Sequence, residues 1–206
     1  PLDTHDVRAL LSADDIALDR IGAERTALFL QIPDSHATFR FLAAMFWQSL
    51  FEKNIYIADH SPGGSLPVPV HCFLDEFANV GRIPNFDKLI ATIRSRKVSV
   101  SIILQTIAQL KTMYKDSWET IVGNCDSVLF LGGNEQSTTE WLSKLLGKET
   151  IDSYNTGESR GREVSHSLNY QKLGKELMSV DELAVLDGGK CILQLRGVRP
   201  FLSNKY

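Results

Sequence analysis

The chain has 206 residues, of which 43% are hydrophobic and 23% are charged, with a formal net charge of −3. This composition is ordinary for a globular protein with a substantial core, and no apolar run approaches the roughly 20 residues of a membrane-spanning helix. The net charge excludes a nucleic-acid footprint over the whole surface, so any such contact must come from a local patch.

The first third of the chain predicts strands and helices in alternation. Residues 1–20 are assigned to the remnant of a preceding helical region or linker. The apolar run 26–32 predicts a buried strand, and residues 38–53 predict a helix that is apolar on most faces. The loop 61–69, rich in Gly and Pro, leads into a strand at 70–74.

The middle of the chain continues this alternation. Residues 85–96 have apolar side chains at helical spacing on one face and charges on the other. A β-branched strand at 98–104 follows, then two short helical pieces at 109–114 and 118–123, and an apolar strand at 127–131. Alternating strands and helices favour a mostly parallel α/β sheet.

The last third contains a polar interruption between two capped helices. Ser137 and Glu140 have the spacing of a capping box for a helix that ends at Gly147. Residues 150–175 are polar and predict a hairpin or a mobile excursion. The remaining elements are a short helix capped by Ser179 and Glu182 and two strands, at 190–195 and 198–202.

The three cysteines have no metal-binding spacing. Cys72, Cys125 and Cys191 form no C-x-x-C pair, and two of them lie in apolar strand-like runs. The pattern favours small buried residues in a reducing compartment.

Two adjacent carboxylates follow the strand at 70–74. In VPVHCFLDEFANVG, the apolar run ends at Asp75 and Glu76. This is the Walker B pattern of P-loop ATPases, in which the first acid serves a Mg²⁺ ion and the second polarises the attacking water. The alternative is a solvated strand end whose acids cap a turn.

The phosphate loop that would complete such a site is missing from the sequence. The pattern G-x-x-x-x-G-K-[ST] requires Ser or Thr after a Gly-Lys pair. The residues that follow the three Gly-Lys pairs are Glu149, Glu176 and Cys191. Together with a start at Pro1, without Met, this absence predicts a C-terminal fragment of a longer protein.

Four segments together resemble one family. They are LDEFANVGRIPNFDKLIATIRSR (74–96), SIILQTIAQL (101–110), IVGNCDSVLFLGG (121–133) and MSVDELAVLDGGKCILQLRGVRPF (178–201). In this order they resemble the TraG/TraD-like coupling proteins of type IV secretion, most closely those of Gram-positive conjugative elements. The resemblance implies that residues 21–206 are the C-terminal portion of a RecA-like P-loop ATPase fold. Its mostly parallel sheet would be flanked by helices and would lack the phosphate-loop strand, which leaves a gap between the strands at 98–104 and 127–131.

The family also implies function and location. Its members are hexameric ATPases that use ATP and Mg²⁺. They link relaxase-bound DNA to the secretion channel and drive single-stranded DNA through it. They lie at the cytoplasmic face of the membrane, anchored by an N-terminal segment that this chain would lack. We expect the 206-residue chain alone to be inactive because it has no phosphate loop.

The resemblance assigns roles to four residues. Asp75 would hold Mg²⁺ through water, and Glu76 would orient the attacking water. Gln105 would bind ATP by sensing its γ-phosphate, and Arg94 would be an arginine finger for a neighbouring subunit.

Two of these roles have structural alternatives. Arg94 stands close to Arg96 and Lys97, and basic residues at a helix C-terminus also favour the helix dipole. Gln105 is placed where it could cap the following helix.

The polar excursion is a candidate contact for single-stranded DNA. Basic side chains interleaved with aromatic ones suit this ligand, because bases stack while cations track phosphates. The candidate residues are Arg160, Arg162, Lys172 and Lys175, with Tyr154 and Tyr170 nearby. Glu158 and Glu163 favour the alternative, a solvated loop. A second hypothesis for the whole chain is a non-catalytic module that recognises relaxosome or channel proteins.

Overall fold

A computed structural model describes most of the chain. The described residues are 8, 12–13, 16–32, 40–160 and 164–206. They divide into two compact units, Pro1–Cys125 and Asp126–Tyr206. The remnant predicted at residues 1–20 falls largely outside the described residues and stays a prediction. Within the described ranges, no helix has both the length and the apolar character needed to cross a membrane.

The first unit is built around one pair of parallel strands. Strands β1 and β2 pair in register from Val70 opposite Val98 to Leu74 opposite Ile102. The elements are α1 (Arg40–His60), β1 (Val70–Leu74), α2 (Phe77–Val80), α3 (Phe86–Thr92), β2 (Val98–Ile102), α4 (Ile107–Tyr114) and α5 (Trp118–Gly123), with 3₁₀ turns at Leu18–Arg20, Ile93–Arg96 and Lys115–Ser117.

An aromatic cluster forms the core of this unit. Phe77 packs on Phe86 and on Tyr114, with ring centroids 5.2 and 5.9 Å apart. Phe51 of α1 packs on Phe86 at 6.2 Å. In β1, Cys72 and Leu74 are buried on the core side while the alternate residue Phe73 is 67% exposed. The cluster therefore anchors α2, which directly follows the acid pair, by burial of large rings.

The second unit combines a three-stranded antiparallel sheet with a hairpin. Its sheet has the order β3-β6-β7, and β4 pairs with β5 alone. The elements are β3 (Ser127–Phe130), α6 (Gln136–Leu146), β4 (Lys148–Arg160), β5 (Val164–Glu176), α7 (Val180–Ala184), β6 (Lys190–Leu195) and β7 (Phe201–Asn204). The core residues are Phe130, Leu142, Leu146, Leu183 and Ile192.

Most predicted elements are confirmed. The polar excursion is the β4–β5 hairpin, and the strand at 190–195 is β6, paired with β7. Ser179 and Glu182 form the predicted capping box of α7. Cys72 and Cys191 are buried, as predicted. Strands β2 and β3 belong to different sheets. The gap predicted between them stays a prediction.

Three expectations are wrong. Residues 26–32 form no strand, and Phe29 is 93% exposed, because an apolar run becomes a strand only where a ladder partner exists. The sheet is not mostly parallel: among the described residues β1–β2 is parallel and the other three pairings are antiparallel. The cap of α6 is Glu135, whose carboxylate accepts from the Ser137 and Thr138 N–H groups, so Ser137 lies inside the helix.

Candidate functional site

The acid pair lies at the carboxyl end of β1. Asp75 and Glu76 follow the last strand residue, and both side chains are exposed. The Glu76 N–H donates to Asp75 Oδ1 at 3.0 Å. Glu76 has φ 45° and ψ 52°, a left-handed backbone that costs a non-glycine residue on the order of 1 kcal/mol.

The end of β2 is bonded to this turn. The Ile103 N–H donates to the Leu74 carbonyl at 3.0 Å, and the Phe77 N–H donates back to the Ile103 carbonyl at 3.0 Å. Because parallel strands end at the same edge, the acid turn and the segment that leads to Gln105 share one edge of the sheet. Gln105 is exposed there. Its N–H donates to Gln109 Oε1 at 3.2 Å, while the N-cap of α4 is Thr106.

Arg94 lies at the opposite edge. It is an exposed residue of the 3₁₀ turn Ile93–Arg96 that leads into β2. The Val70 N–H donates to the Lys97 carbonyl at 3.0 Å, which places the end of this turn beside the first residue of β1. The five residues of β1 span about 16 Å. The structure therefore brings Asp75, Glu76 and Gln105 to one edge and leaves the Arg94 backbone at the other.

The neighbouring base Arg96 has a structural partner. Arg96 Nε and Nη2 donate to the two carboxylate oxygens of Asp59, at 2.8 and 3.2 Å. Arg96 Nη1 also donates to the Thr92 carbonyl at 3.0 Å. This bidentate pair fastens the turn to α1, so Arg96 has a structural role within its own subunit.

The acid turn suits one side of a Mg²⁺–nucleotide site. Mg²⁺ keeps several waters and takes one or two carboxylates together with substrate phosphates, and an exposed Asp75 fits this need. Among the described residues, no group of three or more His, Cys, Asp or Glu side chains forms a metal cage. The sequence has no phosphate loop, so of such a site it offers only residues suited to the metal side.

Comparison with known proteins places the chain in a family. A family model described as the TraM recognition site of TraD and TraG matches residues 69–188. The chain belongs to this TraG/TraD family. VirD4 of Agrobacterium fabrum (strain C58 / ATCC 33970) is 24% identical over 201 residues, covering 97% of this chain and 30% of that protein. VirD4 of Rhizobium rhizogenes is 23% identical, with the same coverage. The chain thus spans about 30% of the length of these relatives.

Solved structures confirm the fold class of this TraG/TraD family chain. The plasmid coupling protein TrwB with an ATP analogue has a TM-score of 0.72 at 16% identity, covering 92% of this chain and 43% of TrwB. TrwB with ADP and Mg²⁺ has a TM-score of 0.72 at 18% identity, covering 93% and 43%. The chain therefore has the C-terminal portion of a RecA-like fold, with a mixed sheet pattern. The closeness to Gram-positive elements stays a prediction.

The β4–β5 hairpin lies within the family-matched region, and its stem pairs opposite charges. Lys172 lies across from Asp152, and Lys175 lies across from Glu149. Acidic and basic residues are equal in number in 148–176. Arg160 is at the end of β4, in register with Val164, and Arg162 lies outside the described residues. The two lysines thus lie opposite acidic residues, while Arg160 lies at the last register position of the hairpin.

Asn79 and Arg40 are polar neighbours of the acid turn that the sequence reasoning missed. Asn79 Nδ2 donates to Glu76 Oε2 at 2.8 Å, and Arg40 Nη2 donates to Asn79 Oδ1 at 3.2 Å. Asn79 could have been found from the sequence, because it lies three residues after Glu76 and residues at this spacing are neighbours on a helix. No local signal pointed to Arg40, because 39 residues separate it from Asn79.

Proposed function

We propose that this TraG/TraD family chain is the metal-side half of the nucleotide site in a conjugative coupling ATPase. The whole protein links relaxase-bound DNA to a type IV secretion channel and drives single-stranded DNA transfer by ATP hydrolysis. The observation that carries the proposal is one sheet edge that holds an exposed Asp-Glu pair after β1 and Gln105 after β2.

Each residue at this edge has a chemical task. Asp75 holds Mg²⁺ through water, and the ion when bound neutralises charge on the nucleotide phosphates. Glu76 accepts a hydrogen bond from the attacking water and orients it. Gln105 contacts the γ-phosphate as a neutral donor. Arg94 reaches the nucleotide of an adjacent subunit, where a permanently charged guanidinium grips phosphate oxygens.

These roles require an assembly of several subunits, because Arg94 acts on the nucleotide of an adjacent subunit. Arg94 lies at the edge opposite the acids, which supports action in trans within a ring of identical subunits. The ring operates at the cytoplasmic face of a membrane, with the anchor and the phosphate loop supplied by other parts of the protein. Relaxosome and channel proteins are its partners, in line with the TraM recognition site that describes the family model.

Replacing Glu76 by Gln in the full-length protein tests the proposal. The change keeps the shape of the side chain and replaces the charged carboxylate by a neutral amide, a much weaker base toward water, so we expect ATP turnover to fall by at least about 100-fold and DNA transfer to stop, while ATP binding persists. Glu119→Gln is the matched control, because Glu119 is an exposed acid in the first turn of α5. Wild-type turnover in Glu76→Gln would refute the motor.

The 206-residue chain alone should not hydrolyse ATP. Without the phosphate loop it lacks the backbone N–H cradle and the lysine that hold the phosphates. Isothermal titration with ATP and Mg²⁺, and a phosphate-release assay on the purified chain, measure this directly. Turnover above the level of a Glu76→Gln chain would contradict the expectation.

The second candidate function is a binding module for a relaxosome or channel protein. It is favoured by the match to a region described by partner recognition rather than by catalysis. The Glu76→Gln protein separates the candidates: a binding module keeps full DNA transfer in this variant, whereas a motor loses transfer and retains partner binding.

We also propose that the β4–β5 hairpin contacts single-stranded DNA, mainly through Arg160 and Arg162. Lys172 and Lys175 contribute less, because they lie opposite carboxylates. Removing both arginines should reduce the slope of log affinity against log salt by about 1 to 2, since each phosphate contact contributes about 0.7. Removing both lysines is the matched control and should change the slope less. An unchanged slope in the variant that lacks Arg160 and Arg162 would refute a DNA contact by these two arginines.

A further inference from the structure

A chain of side-chain hydrogen bonds ends at the acid proposed to orient water. Arg40 Nη2 donates to Asn79 Oδ1 at 3.2 Å, and Asn79 Nδ2 donates to Glu76 Oε2 at 2.8 Å. Asn79 also belongs to the turn itself, because its N–H donates to the Glu76 carbonyl at 2.7 Å. Asn79 therefore touches both the backbone and the carboxylate of Glu76.

The chemistry of the two neighbours fixes the orientation of the amide. A guanidinium has donors and no acceptor, and an ionised carboxylate has acceptors and no donor. Between Arg40 and Glu76, the Asn79 amide satisfies both groups only with its oxygen toward Arg40 and its nitrogen toward Glu76. Arg40 thus acts on Glu76 through the Asn79 amide, which it holds in the donating orientation.

The backbone at Gly81 allows Arg40 to reach this position. Gly81 has φ +85°, and a Cβ there would lie 3.0 Å from the Arg40 carbonyl oxygen. The first residue of α1 therefore packs directly against the residue that ends α2. This close approach places the Arg40 side chain beside Asn79, across 39 residues of sequence.

We propose that Asn79 is a positioning residue that fixes the Glu76 carboxylate for its work on water, and that Arg40 fixes Asn79. The inference rests on the proposed ATPase function. Asn79 and Arg40 act on the reaction through Glu76. Their loss lowers the rate of the chemical step and leaves nucleotide affinity nearly unchanged.

The test uses steady-state ATP turnover of the full-length protein. Asn79→Ala should lower kcat about tenfold with the KM for ATP within about twofold, as expected when a residue that orients a reacting group is lost. Asn79→Asp should lower kcat further, because it replaces the donor by a like charge beside Glu76. The like charge also costs stability, which the retained contact with Arg40 partly offsets, so the melting temperature of Asn79→Asp should fall by no more than that of Asn79→Ala. If Asn79 had only a structural role, Asn79→Asp would keep a higher kcat than Asn79→Ala, because it retains the contact with Arg40.

A double-mutant cycle tests the role of Arg40. Arg40→Met should lower kcat about threefold, and Arg40→Met with Asn79→Ala should be no slower than Asn79→Ala alone, because both act through one contact. Asn124→Asp is the matched control: Asn124 is a half-buried amide whose Nδ2 donates to the Thr120 carbonyl at 2.8 Å. It should leave kcat unchanged.

The outcomes separate this inference from the function on which it rests. If Glu76→Gln abolishes turnover while both Asn79 variants stay within twofold of wild type, the positioning role is refuted and the ATPase stands. If Glu76→Gln itself retains turnover, the ATPase proposal fails. Should Asn79→Asp melt below Asn79→Ala, then Asn79→Ala and the Arg40→Met cycle decide the question by the same criteria.

Discussion

Replacing Tyr114 by Phe should destabilise the first unit measurably. The Tyr114 hydroxyl accepts from the Ile83 N–H at 3.1 Å and donates to the Ile83 carbonyl at 3.4 Å. Tyr114 is 3% exposed and Ile83 is fully buried, so water cannot replace the lost partner. Phe keeps the ring contacts with Phe77 and Phe86, which isolates the hydroxyl. An unsatisfied buried N–H costs about 1–3 kcal/mol. A loss of about 2 kcal/mol, the middle of this range, lowers the melting temperature by about 4–8 °C in a chain of this size.

Urea unfolding followed by tryptophan fluorescence measures this change, with Tyr56→Phe, a change at an exposed tyrosine, as control. The pH dependence gives a second check. Burial raises the pKa of Tyr114 to about 12 from its ordinary value of 10.0. Its stabilising contribution is therefore complete below pH 10 and is lost as pH rises toward about 12, because the unfolded tyrosine releases its proton first. Equal stabilities of wild type and Tyr114→Phe at pH 8 would refute the reasoning.

Two further substitutions and one chemical modification test the packing at the end of α2, the buried thiol of β1 and the helix cap of α7. Gly81→Ala should destabilise by more than about 1 kcal/mol in urea, because it combines a positive φ with a Cβ 3.0 Å from the Arg40 carbonyl oxygen; an unchanged midpoint would contradict this. Burial raises the pKa of Cys72 to about 12, so iodoacetamide at pH 8 should modify this thiol in urea and leave it intact in the native protein, as read by mass spectrometry. Ser179→Ala should cost about 1 kcal/mol in urea by removing the cap contact with the Glu182 N–H.

Local patterns were sufficient where the sequence itself carries the structural cause. The strand β1 and its acid pair follow from an apolar run that ends in two carboxylates. The capping box of α7 follows from Ser and Glu at the required spacing. The hairpin follows from a polar segment that contains Gly157 and Gly161. In each case the interacting residues are close along the chain, so spacing alone predicts the contact.

Non-local contacts account for what the sequence did not predict. Whether residues 26–32 form a strand depends on a ladder partner, and the alternation of strands and helices cannot specify that β6 enters antiparallel beside β3. The contact of Arg40 with Asn79 depends on how α1 meets α2. The cap of α6 was missed for a different reason: Glu135 uses its own carboxylate, so the helix begins before Ser137.

The two edges of the β1–β2 pair explain why one chain cannot complete the proposed site. The carboxyl edge holds the acid turn, and the hydrogen bonds around Ile103 bind that turn to β2. The amino edge holds the turn with Arg94, and the bidentate pair of Arg96 with Asp59 fastens that turn to α1. Both edges are thus fixed to one rigid strand pair, and a finger at one cannot swing to the acids at the other. If Arg94 acts as the proposed finger, a nucleotide that needs both edges would lie between subunits, and hydrolysis at each site would depend on the neighbouring subunit.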